Sequence, residues 1–340
     1  MRILQVNQNA KSIRKMMCIA MMAVLAIGFV ACSDDEDPET TPAPAKVLSK
    51  YFTIAGAETI NGSIPQSAQS VSVGEVSMNN AAIAGGSSHV SINTDNTIQK
   101  LYANVKGSNQ YYSFTPSADK STIVDFTILF SQNLNETFTL QISALLDDGT
   151  VTALWTTTIN YIAAGTGALQ ISLSFDNDKD VDLYVVQPDG EVIYYGNHGM
   201  LDYVNGNYVY IYGLDLDSNP GCSIDGINNE NVFYPTEYIQ EGTYEVWVNM
   251  YSNCDASIPT NWIITAIHEG NLITPTYGTN PAAGVYPIGE PSNPIGSSLN
   301  GALKVMEFSV TGSTPNVSKS AVKAPLTESA KMKLTNAVIK

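Results

Sequence analysis

Arginine is nearly absent from this chain. There are two, Arg2 and Arg14, and both lie close to the N-terminus. The guanidinium fork is the usual bidentate partner of phosphate and carboxylate. From residue 32 onward there is none, and twelve lysines stand against 32 acidic residues, a formal charge of −20. Such a field opposes nucleic acid and anionic lipid. Histidine is also scarce: His89, His198 and His268 are the three, and none stands at zinc-ligand spacing to any of the four cysteines. The G-x-S-x-G, H-E-x-x-H and C-x-x-C motifs do not occur. The expectation is a non-enzyme, with a glycan hydrolase built on paired carboxylates as the catalytic alternative. No sustained helical period runs between residues 47 and 312. What remains is an acidic, all-β chain suited to cations, neutral sugars or other proteins.

The first 31 residues read as a targeting segment. Arg2, Lys11, Arg14 and Lys15 form a positive region before the apolar run from Met16 to Val30, a stretch of signal-peptide length. It ends in Phe29-Val30-Ala31-Cys32, which resembles a lipobox and makes Cys32 the expected lipidated residue. Residues 32–46 follow as an acidic, Pro-rich tether beginning Ser33-Asp34-Asp35-Glu36-Asp37. An acidic run directly after the lipidated cysteine resembles the surface-export signal of lipoproteins in some anaerobic Gram-negative bacteria. The expected address is therefore the outer membrane, reached through a lipid anchor and facing outward. Cys18 leaves with the signal and Cys32 is acylated. Cys222 and Cys254 remain, and in an oxidising compartment they are expected to pair.

Residues 47–163 show short alternating runs separated by turns such as Asn61-Gly62 and Asp147-Asp148-Gly149. This spacing predicts an immunoglobulin-like β-sandwich without the inter-sheet disulfide. Ala163-Ala164-Gly165-Thr166-Gly167 reads as a hinge, and residues 167–312 as a second antiparallel sandwich. Residues 313–340 form a basic tail, read as disordered or a short amphipathic helix.

The second region opens on Leu169, Ile171, Leu173 and Phe175, then Val181, Leu183 and Val185, two strands of period two. Between and within them Asp176, Asp178, Asp180 and Asp182 occupy every second position. On one straight strand these carboxylates would share a face at about 7 Å intervals and repel. Either the chain bends there or a cation sits among them. The spacing is not that of an EF-hand, because Val181 and Gln187 occupy the positions that need Gly and Glu. A calcium site closed by Asp215, Asp217 or Glu230 is the metal reading. Further on, Tyr194, Tyr195 and Tyr210 crowd with Asn197 and His198, a combination that could pack on sugar C–H faces and bond hydroxyls. Cross-strand tyrosine packing is the competing account.

Four ordered segments carry a family resemblance. They are the run from Asp180 to Asn197 (DVDLYVVQPDGEVIYYGN), Leu214-Asp-Leu-Asp, Asn229-Glu-Asn-Val-Phe and Glu241-Gly-Thr-Tyr-Glu-Val-Trp-Val. Together they resemble the YfaP-like domain of unknown function over about residues 165–270. The resemblance implies a β-sandwich and transfers no catalytic residue. The Tyr-rich insert Met200–Gly213 departs from it, as does Asn229 where the family pattern has Pro. The expected function is non-catalytic binding or display at the envelope, toward a glycan or an envelope protein. A calcium-stabilised spacer is the alternative.

Overall fold

The computed structural model describes residues 45–66, 71–116, 122–205 and 207–312. Cys32, the signal segment, nearly all of the tether and the basic tail lie outside the described residues. The described chain is all-β and forms two antiparallel sandwiches in tandem.

The first sandwich has ten strands: β1 (Phe52–Ile54), β2 (Glu58–Asn61), β3 (Glu75–Met78), β4 (Ala81–Ile83), β5 (Ser87–Asn93), β6 (Ile98–Val105), β7 (Gln110–Phe114), β8 (Ile123–Phe130), β9 (Phe138–Leu146) and β10 (Trp155–Ile162). Its sheets run in the orders β1-β8-β5-β3 and β2-β7-β6-β9-β10-β4. All pairings are antiparallel except β10 with β4. Period-two residues such as Val90 and Ile92, or Leu140 and Ile142, point inward and meet Phe52 and Phe138 in one core.

The second sandwich has twelve strands: β11 (Leu169–Phe175), β12 (Asp180–Val186), β13 (Val192–Ile193), β14 (Gly199–Val204), β15 (Asn207–Leu216), β16 (Asn229–Tyr234), β17 (Gly242–Ser252), β18 (Thr260–His268), β19 (Asn271–Leu272), β20 (Tyr277–Gly278), β21 (Ala282–Tyr286) and β22 (Leu303–Val310). One sheet is ordered β14-β15-β16-β11-β18-β19, with β21 also on β18, and the other β13-β12-β17-β22-β20. The Tyr-rich insert is thus a long edge hairpin, β14–β15. Tyr203 and Tyr208 pair near its tip, ring centroids 5.1 Å apart, and Tyr203 is 62% exposed.

Every residue of β11 is buried. Leu169, Ile171, Leu173 and Phe175 enter the second core. The alternate residues, Gln170, Ser172 and Ser174, face the first sandwich instead of water. Gln170 Nε2 donates to Ala84 O at 2.9 Å, Ser174 Oγ accepts from Asn79 Nδ2 at 3.0 Å, and Ser172 meets Thr265, which in turn lies 3.4 Å from Ser87. The linker is tied into the same seam and is no free hinge. Asn231 Nδ2 donates to Gly165 O at 2.8 Å, and Gly165 N donates to Asp215. A Cβ at Gly165 would sit 2.3 Å from the Phe233 ring, so only glycine allows this approach. Residues 45–312 accordingly belong to one compact unit.

Candidate metal centre

The chain bends between β11 and β12, and the bend sorts the four regularly spaced aspartates into two pairs. Asp176 is fully engaged at the end of β11. It accepts from Asn261 N at 2.9 Å, Asn261 Nδ2 at 2.8 Å and Ser77 Oγ at 2.9 Å. Asp178 is exposed and lies 3.4 Å from Asn228 Nδ2. Among the described residues neither falls in a group of converging metal-ligating side chains, contrary to the straight-strand picture. Lys179, between Asp178 and Asp180, is completely buried, and its Nζ donates to Ile258 O at 2.7 Å. Burial pulls the Lys179 ammonium below its ordinary range, against the charges of Asp255 and Asp176.

Asp180 and Asp182 turn inward. Both are buried on the face of β12 opposite Val181, Leu183 and Val185. Asp180 Oδ2 accepts from Gly221 N at 2.7 Å, and Asp182 Oδ2 accepts from the Tyr184 hydroxyl at 3.0 Å. Glu230 reaches them from β16. β13 pairs with β12 only at Val185 and Val186, so Leu183 N–H is open on that edge. Glu230 Oε2 accepts it at 2.6 Å. Asp217 enters from the loop after β15. One oxygen each from Asp182, Asp217 and Glu230 lies within 4.8 Å of the others. Among the described residues this is the one group of three or more metal-ligating side chains so placed.

Asp215 leaves the predicted set. The β15–β16 pairing shifts register between Leu214 and Leu216. Asp215 instead accepts from Asn231 Nδ2 at 2.7 Å and from Gly165 N. Burial raises its carboxyl to about 6, with those two bonds opposing the rise.

The electrostatics of the centre follow from burial of like charges. Burial raises the Asp180 carboxyl to about 6, opposed by the Gly221 N–H and a bond to Asp182. Asp182 is pushed well above the carboxylate range by burial and by the charges of Asp180 and Asp217. Glu230 is pushed up by burial, then by Asp182 and Asp217. Among the described residues, the salt bridges are His89 to Asp125 and Lys304 to Glu245 and Glu307, all elsewhere. Glu230 is 1% exposed, and its Oε1 has no hydrogen-bond partner. An orphaned buried carboxylate oxygen costs several kcal/mol unless a proton or a cation meets it. Three oxygens within 4.8 Å fit the first shell of a hard cation with metal–oxygen distances of about 2.4 Å.

The loop between Asp217 and Asn228 covers the centre. Asn219 Nδ2 donates to Lys179 O at 2.8 Å, and Cys222 is joined to Cys254 with an S–S distance of 2.05 Å. Tyr184 and Gly221 are the members of the site that sequence reasoning missed. Tyr184 reads as one more strand residue, and a backbone donor leaves no sequence signal.

The aromatic candidates are used internally. Tyr194 stacks on Tyr184 at 5.4 Å, and Tyr195 donates to Ile295 O at 2.8 Å. Asn197 Nδ2 donates to Glu191 Oε1 and Val192 O, closing the turn after β13. His198 Nδ1 lies 3.0 Å from Leu214 O and 3.5 Å from the Tyr210 hydroxyl. These five residues form two clusters, one under residues 293–296 and one at the base of the edge hairpin.

No protein-family model matches the chain, and no curated protein matches it. Among solved structures it is similar to the fibronectin(III)-like modules of Clostridium thermocellum CbhA, at 14% identity over 60% of this chain and 87% of that one, with a TM-score of 0.18. It is also similar to a tandem of titin Ig domains, at 8% identity over 57% of this chain and 93% of that one, with a TM-score of 0.17.

Proposed function

We propose that the protein is a lipid-anchored, non-catalytic display module of the bacterial envelope whose second sandwich is stiffened by a bound divalent cation, calcium in preference to magnesium. The second sandwich is assigned to the YfaP-like group in the same reading. One observation carries the cation: buried Glu230, whose Oε1 has no hydrogen-bond partner, brings a carboxylate oxygen within 4.8 Å of one from Asp182 and one from Asp217. Calcium takes six to eight oxygens at variable angles, whereas magnesium demands a tight octahedron and keeps its waters. An all-oxygen donor set favours such hard ions over zinc or copper.

Binding to the native state alone stabilises it by linkage, about 2.7 kcal/mol at one hundred times Kd. The melting temperature of the mature protein is expected to rise by roughly 5 °C or more in calcium relative to chelator, and much less in magnesium. Glu230→Gln and Asp182→Asn should each remove the calcium increment. A melting curve indifferent to calcium and chelator would refute the cation. The anchor has a separate test: Cys32→Ala should shift the protein out of the membrane fraction or block its processing. Unchanged partitioning and mass would remove the anchor from this reading.

A further inference from the structure

A polar groove runs across the first sandwich onto the seam between the sandwiches, and none of its residues belongs to the carboxylate centre. Two adjoining cavities, of about 430 and 410 Å³, share Met78 and Asn80 as common walls. Each lies in the size range of small-molecule sites. One end is walled by Trp155, which packs part of its indole on the first core and leaves the rest facing the groove. The other end is walled by Asn160 of β10 and, across the seam, by Asp178 and Asp255. We propose that this groove binds a neutral oligosaccharide, with Trp155 as the stacking platform and the carboxamides and carboxylates as partners for its hydroxyls.

The chemistry excludes the alternatives in turn. No lysine lines either cavity, and every charged side chain in the lining is a carboxylate, which repels an anionic ligand. A bare cation needs several converging oxygens, and among the described residues the only such convergence is Asp182, Asp217 and Glu230. A wholly apolar ligand would strand the amides, since Asn80 and Asn160 are exposed side chains set in the wall. A sugar answers all three features. Its C–H face suits an indole, and its hydroxyls both donate to carboxylates and exchange bonds with carboxamides.

The groove is pre-organised, which lowers the ordering cost of binding. Its floor is the seam itself, where buried Asn79 donates to Asn228 O at 2.9 Å and Asp176 is held by Asn261. The five aromatic and polar residues around Tyr194 and His198 do not line it. The groove therefore relocates the sugar-binding expectation from the second sandwich to the seam.

The mature protein should be titrated with gluco-, manno-, galacto- and xylo-configured oligosaccharides of four to six units, with oligogalacturonate as the anionic control. Calorimetry and tryptophan fluorescence give the readouts, each in calcium and in chelator. At least one neutral series is expected to bind, with oligogalacturonate silent. Trp155→Ala should weaken binding about tenfold, the scale of an aromatic stacking contact. Asn80→Ala and Asn160→Ala sit on the surface and should weaken it severalfold with unchanged melting temperature. Tyr195→Phe should leave it intact. Silence across all the neutral series at millimolar sugar would overturn the proposal. So would binding that survives Trp155→Ala and Asn160→Ala together.

Discussion

Asn79→Ala is expected to destabilise the protein by about 3–5 kcal/mol, the largest effect of any single polar substitution in the seam. Asn79 is 4% exposed. Its Nδ2 donates to Ser174 Oγ at 3.0 Å, Ile227 O at 3.0 Å and Asn228 O at 2.9 Å, while its Oδ1 accepts Ala81 N at 3.0 Å. One amide thus serves β4 of the first sandwich, β11 of the second and the loop that covers the carboxylate centre. Alanine takes the partner from the buried Ala81 N–H and from the Ser174 hydroxyl, each at a cost of roughly 1–3 kcal/mol, while Asn228 O keeps Phe175 N and Ile227 O keeps Asn229 Nδ2. Asn79→Asp should be at least as harmful, because it keeps the acceptor for Ala81 but turns a carboxylate toward two carbonyl oxygens. Calorimetry should show one transition for the native protein and a lowered, divided one for the alanine variant, as the sandwiches lose their coupling. A loss below 0.5 kcal/mol, with a single transition retained, would show that the seam does not depend on this amide.

The seam also marks where the sequence stops being legible. Alternation in β11 locates the strand and its core face, because Leu169, Ile171, Leu173 and Phe175 can satisfy no other pattern. The same alternation suggests that Gln170, Ser172 and Ser174 meet water, and they do not. Their chemistry held a clue: the polar face of β11 has no charged residue, and Thr265 beside it has none to offer either. Charge is what a solvated sheet face normally carries. Strands such as β19 and β20, two residues each, are created by their partners and have no periodicity to read. The carboxylate centre was half legible. Aspartates at every second position announced crowding, but the bend at residues 176–179 decides which of them point inward. Asp215 and Asp217 look equivalent in sequence, and the register shift beside Leu214 separates them. Glu230 is legible only as one of several acidic residues able to close a calcium site. Its burial and its orphaned oxygen depend on how β16 meets the open edge of β12, which no local pattern encodes.

Removing the disulfide, by Cys222→Ser with Cys254→Ser, is expected to cost about 4 kcal/mol of stability and to weaken the calcium response. The cross-link spans 32 residues. In the chain-entropy model a loop of that length restrains the unfolded chain by about 4 kcal/mol at room temperature. The second effect is local. Asn219, Gly221 and Cys222 all hold left-handed backbone, with φ of 58°, 59° and 66°. Asn and Cys adopt that region at a cost of roughly 1–2 kcal/mol each unless their surroundings hold them there. The bond to Cys254 and the Asn219 bonds to Lys179 O and Asn228 Oδ1 supply the hold. The segment so fixed begins beside Asp217 and delivers the Gly221 N–H to Asp180. A loosened loop would spread the positions of Asp217 and free the Asp180 carboxylate, so three oxygens would meet less often at cation distance. Urea unfolding of the oxidised protein, the reduced protein and the double serine variant, each with and without calcium, separates the two effects. Lower midpoints in both altered forms, with a smaller calcium increment, are the expected outcome. Coincident midpoints would mean that the unfolded chain gains nothing from losing the cross-link. An undiminished calcium increment would mean that hydrogen bonds alone hold Asp217 in place.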